Sequence, residues 1–131
     1  MSVQPPSHLS DLPIYKQAMQ IFVLSRSISS YLSQDLSYLY DDGTEDANIY
    51  FSGDLVQHSE SLAPEIINAE LEHCQDKKHR HIASVVRLTN RLYKNCNRLE
   101  TCNSNGKDYV PILKREIRKF RKLQTTWMLT L

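Results

Sequence analysis

The sequence predicts an all-α fold, an antiparallel up-and-down four-helix bundle, and three observations carry that prediction. Only three glycines and five prolines occur in 131 residues, too few for an all-β chain, which needs a turn every roughly 8–12 residues. Apolar residues recur at helical spacing in four long segments. The segments joining them are short, which makes consecutive helices antiparallel neighbours. At this length the chain is one domain with room for a real core.

Residues 1–10 read as a flexible leader and 11–131 as the bundle. Asp11 is placed to cap the first helix, with Pro13 inside its first turn, where a missing N–H costs nothing. Ile14, Ala18, Ile21, Phe22, Ser25, Ile28 and Leu32 form its apolar row. The pattern weakens through SQDLSYLY and stops at the acidic turn segment DDGTED. The second helix begins near Asp46 or Ala47 and carries Leu55, Val56, Ser59, Leu62, Ala63, Ile66, Ile67 and Ala69 inward. Pro64 lies within it and is expected to kink or divide it, because proline removes a backbone donor. A turn is expected around HCQDKKH. The third helix is the clearest: Ile82, Val85, Val86, Thr89, Leu92, Tyr93, Cys96 and Leu99 hold one face for five turns. NSNG supplies the next turn. The fourth helix admits Pro111 in its first turn and buries Leu113, Ile117, Phe120, Leu123 and Trp127.

No apolar run approaches the roughly 20 residues of a membrane span. The start, MSVQPPSHLSDLP, has neither the basic n-region nor the apolar core of a signal peptide, so a cytoplasmic location is expected. Three cysteines, Cys74, Cys96 and Cys102, are an odd number and argue against a disulfide framework.

Charge is divided unevenly along the chain. Residues 1–76 hold two basic and twelve acidic side chains; residues 77–131 hold fourteen basic and three acidic. The near-neutral total of +1 hides this asymmetry. At about 100° per residue, Arg80, Arg87, Arg91, Lys94 and Arg98 fall within roughly 60° of one another, opposite the apolar face of the third helix. Lys114, Arg115, Arg118, Lys119, Arg121 and Lys122 fill the outer half of the fourth. Like charges three or four residues apart destabilise a helix by roughly 0.2–0.5 kcal/mol per pair. Three compensations remain open: phosphates of a nucleic acid, which arginine's planar fork suits; acidic helices of the same or a neighbouring subunit; or water alone. A bundle with a basic pair of helices on one side and an acidic pair on the other is suited to head-to-tail assembly.

Chemistry-bearing motifs are sparse. Glu70-Leu-Glu-His73 is a single Glu-x-x-His, where a di-iron bundle needs two such motifs and two further glutamates. His73, Cys74, His79 and His81 crowd one turn at a spacing unlike common zinc patterns. No phosphate loop, G-x-S-x-G or H-E-x-x-H occurs. The sequence predicts no catalytic residue, cofactor or metal ligand. Tyr31, Tyr38, Tyr40, Tyr50 and Phe51 cluster where the first helix ends and the second begins. They are read either as a plug for that end of the bundle or as an aromatic contact surface.

Three segments carry a resemblance. L-P-I-Y-K-Q-A-M-Q-I at 12–21, S-L-A-P-E-I-I-N-A-E at 61–70 and R-H-I-A-S-V-V-R-L-T-N-R-L at 80–92 are similar to segments of the small bacterial four helix bundle protein family. That family includes the proteins encoded in intervening sequences of 23S ribosomal RNA genes and the accessory variability determinant of diversity-generating retroelements. The chain departs from it at Leu71, where the family has glycine, and in the more acidic segment 41–46. The resemblance implies a non-enzymatic homo-oligomer, often a ring-shaped pentamer with basic surfaces. In the retroelement branch it implies an accessory that binds nucleic acid, RNA or DNA, and a reverse transcriptase.

Two functions are therefore in contention. One is an oligomeric binding module that contacts nucleic acid through the eleven basic residues named above, Arg80 to Lys122. The other is a protein–protein adaptor whose charge asymmetry serves self-assembly and docking only.

Overall fold

The computed structural model describes residues 7–36, 43–44, 46–102 and 104–131. Helices α1 (Ser7–Ser10), α2 (Pro13–Asp35), α3 (Ala47–Leu71), α4 (Gln75–Leu99) and α5 (Val110–Thr130) follow one another, with a 3-10 segment at Asn105–Tyr109 before α5. Four are long, and among the described residues there is no strand.

Local chemistry sets the boundaries. Asp11 does not cap α2, contrary to expectation. The N-cap is Leu12, in an extended conformation with no side-chain cap. Pro13 explains the shift: its ring pushes the preceding residue out of the helical region and into the extended one that an N-cap adopts. Within the expected leader, residues 7–10 form a helical turn and Leu9 is buried. At the far end of α2, Leu36 extends the buried row Ile14, Ala18, Ile21, Ser25, Ile28, Leu32 by one more turn.

Asp46 caps α3, its carboxylate accepting from Asn48 N at 2.8 Å. Pro64 does not divide α3, which runs on to Leu71. Both Pro64 and Glu60, whose carbonyl loses its partner, are exposed. Water can therefore satisfy that carbonyl, while Leu62, Ala63, Ile66 and Ala69 stay buried on the opposite side. The turn expected over residues 73–79 is shorter than the sequence suggests, because α4 starts at Gln75. The Glu72 carboxylate accepts from Cys74 N at 3.1 Å and closes the turn.

Around the bundle the long helices pack in the cyclic order α2, α3, α4, α5 and back to α2. Their directions alternate. Early α3 meets late α4, with the Arg98 guanidinium 4.7 Å from the Phe51 ring centroid; late α3 meets early α4, with His81 Nδ1 3.2 Å from Glu65 Oε2. Lys114, early in α5, is 3.0 Å from Glu100 just past α4, and Gln124 further along is 3.2 Å from the Thr89 hydroxyl. Tyr109, just before α5, stacks on Tyr31 late in α2, whereas Gln17, early in α2, donates to the Glu116 carbonyl at 2.9 Å. The core between these helices holds Ile21, Ile28, Leu32, Leu55, Leu62, Ile66, Leu92, Leu99, Leu113, Ile117 and Phe120, all fully buried. Each such side chain contributes about 1.5–3 kcal/mol of transfer free energy. Among the described residues, no helix is long and apolar enough to cross a membrane.

Candidate nucleic-acid interface

Helix boundaries redistribute the charge that the sequence divides at residue 76. α2 carries two basic residues, Lys16 and Arg26, and one acidic residue, Asp35. It is not part of an acidic pair, so the expected two-sided bundle is corrected. Four acids and no Lys or Arg lie on α3; seven basic residues and one acid lie on α4; six basic and one acid lie on α5.

Arg80, Arg87, Arg91, Lys94 and Arg98 are all exposed on α4. None forms an ion pair among the described residues. Their row leans towards α3: Arg98 covers Phe51, and Arg91 acts electrostatically on His58. Burial, reinforced by Arg91 and opposed by Asp54, holds the His58 imidazole pKa below its ordinary value. The side of α4 that faces α5 is instead neutral, presenting Asn90 and Tyr93.

The six basic residues of α5 fall into two groups. Arg115, Arg118 and Lys122 are exposed and form no ion pair among the described residues. Lys114, Lys119 and Arg121 have internal partners. Lys114 bonds Glu100 and lies 5.0 Å from the Tyr93 centroid; the Glu100 carboxylate beside it raises its pKa. Arg121 lies 4.6 Å from the same ring and donates to Asn90 Oδ1 at 3.2 Å. Lys119 pairs with Glu116 at 3.1 Å. The basic side is thus two strips, one over the α3–α4 seam and one along outer α5, separated by Asn90 and Tyr93. Tyr93 as the junction of α4 and α5 is a feature the sequence reading missed. Its signal was a ring three residues from Asn90, on the edge of the apolar face.

The groups that suggested chemistry are dispersed. The Glu70 carboxylate accepts from Trp127 Nε1 at 2.8 Å, and His81 bonds Glu65. Burial raises the Glu65 pKa, but hydrogen bonds from His81, Asn68 and Ser84 outweigh it and the net shift is downward. His73, Cys74 and His79 are exposed. Among the described residues, no three His, Cys, Asp or Glu side chains form a group able to hold a metal ion. Cys96 is buried, which pushes its thiol up to about 12.

Three members of the aromatic cluster, Tyr31, Tyr50 and Phe51, are described, and of these the two tyrosines do not plug the bundle end. Tyr38 and Tyr40 lie outside the described residues. Tyr31 and Tyr50 are 49% and 69% exposed, and only Phe51 packs against the core.

Comparison with family models, curated proteins and solved structures finds no match for this chain. The resemblance to the small bacterial bundle family rests on its three segments alone.

Proposed function

We propose that this chain is a non-enzymatic binding module that holds the phosphate backbone of a nucleic acid on its α4 and α5 strips. The observation that supports the reading is the set Arg80, Arg87, Arg91, Lys94, Arg115, Arg118 and Lys122. All seven are exposed and form no ion pair among the described residues. The α4 row alone is about 27 Å long at 1.5 Å per residue, enough to track several phosphates. Such contacts fix position on the backbone and carry little sequence information. Fluorescence anisotropy with labelled RNA and DNA at about 50 mM salt tests the reading, since backbone binding is steeply salt-dependent. Wild type should bind and weaken sharply as salt rises, and R87E/R91E/K94E should not bind. No binding of either nucleic acid by wild type defeats the proposal. A reverse transcriptase as protein partner follows from the family resemblance, and co-purification with one tests it.

A second reading, an adaptor that docks on protein or on its own copies, is favoured by the outer face of α2. There Met19, Val23 and Tyr31 are 38%, 56% and 49% exposed beside Ser27 and Ser30, with Arg26 the one charge among them. Sedimentation at low and high salt tests it. A mass that exceeds 15.2 kDa several-fold and returns to the monomer with Val23→Glu supports the adaptor.

A further inference from the structure

We infer that the nucleic acid suited to this surface is single-stranded, with one unstacked base lying on Tyr50. The inference rests on the backbone-binding reading above and adds the class of nucleic acid. The α4 row ends at Arg98, which is exposed but does not face water alone. Its guanidinium lies 4.7 Å from the centroid of the Phe51 ring. Phe51 in turn meets Tyr50 edge-on, with centroids 5.9 Å apart and an interplanar angle of 72°. A cationic track therefore runs directly into an arginine and two rings.

The two rings have different surroundings. Phe51 is partly buried and packs on the core, so it anchors the group. Tyr50 is 69% exposed. It sits in the first turn of α3, off the buried row Ser52, Leu55, Ser59 and Leu62. Among the described residues its one ring contact is the edge-on meeting with Phe51.

A basic track beside an exposed ring matches what a single strand requires. Successive phosphates follow the charges, and a base without a pairing partner gains by stacking on an aromatic face or on an arginine plane. A duplex offers the same phosphates, but its bases are stacked on one another and present only their edges in the grooves. Tyr50 can therefore distinguish the two forms where the basic row cannot.

The test compares a labelled single strand of about 15 nucleotides with the duplex of the same sequence by anisotropy, at a salt concentration where backbone contacts hold. Four proteins are compared: wild type, Tyr50→Ala, Tyr50→Trp and R87E/R91E/K94E. Wild type is expected to bind the single strand more tightly than the duplex. Tyr50→Ala should weaken the single strand about ten-fold, the loss of one stacked base, and leave the duplex unchanged. Tyr50→Trp should keep single-strand affinity, and the triple variant should lose both ligands. If wild type binds both forms and Tyr50→Ala changes neither, the stacking inference is overturned and the backbone reading stands. If wild type binds neither, both fall together.

Discussion

Arg98 of α4 lies over the ring of Phe51 in α3, and this contact fixes the side of the bundle on which the α4 basic row stands. The row itself is legible in the sequence, because residues 80, 87, 91, 94 and 98 share a helical face whatever surrounds the helix. Its lean is not legible. A helical wheel places charges relative to their own apolar stripe, and which neighbour flanks each edge depends on packing order. Arg98 over Phe51 and Asn90 against Arg121 supply that order. What reads as one basic surface is therefore two strips.

The Arg98–Phe51 contact gives the first prediction. Arg98→Ala should destabilise the fold by about 0.5–1 kcal/mol, the usual range for an exposed cation–π contact. Arg98→Lys should recover part of that loss, since an ammonium keeps the charge without the planar guanidinium. Urea unfolding midpoints of the three proteins measure it, and equal midpoints would show that the ring contact adds nothing to stability.

Gly106 shows a constraint that sequence pattern alone does not supply. NSNG predicts a turn; Asn103 lies outside the described residues, and from Ser104 the chain turns into the 3-10 segment, with Lys107 N donating to the Ser104 carbonyl at 3.1 Å. The reason for glycine, however, is a close approach: an added Cβ would lie 3.1 Å from Tyr31 Cβ and 3.2 Å from Ser104 Oγ. Ser104 cannot readily withdraw, because its hydroxyl donates to Asp35 at 2.6 Å and accepts from Gly106 N at 3.0 Å. Overpacking of this kind costs about 1–3 kcal/mol, against about 0.4–1 kcal/mol gained by stiffening the unfolded chain. Gly106→Ala should therefore lower stability by about 1–2 kcal/mol. A variant as stable as wild type in chemical denaturation would mean that α2 and the 3-10 segment separate easily.

The three cysteines should react at different rates. Cys74 is exposed in the turn before α4, whereas Cys96 and Cys102 are buried. Only the thiolate attacks a disulfide reagent, and burial pushes the Cys96 thiol up to about 12. Native protein should give one fast thiol with an aromatic disulfide reagent, lost in Cys74→Ser, and denatured protein should give three. Two fast thiols in the native state would place a second cysteine within reach of solvent.

His58 sets a pH dependence that can be separated from that of the carboxylates. Its pKa in the folded chain lies below 6.5, through burial first, with Arg91 adding to the shift and Asp54 opposing it. The unfolded chain therefore binds more protons than the folded one between the ordinary value and the lowered one. In that window stability rises with pH, so it is full above about pH 6.5 and declines as pH falls towards the folded pKa. Glu65 is lowered too, so its contribution is lost only as pH falls below about 4.5. The two windows do not coincide. Wild type should melt at a lower temperature at about pH 5.5 than at about pH 7.5, and His58→Gln should flatten that interval while keeping the loss at more acid pH. Thermal unfolding followed by circular dichroism across the range gives the comparison. If wild type and His58→Gln fall together between those two pH values, another group is titrating and His58 is not the source.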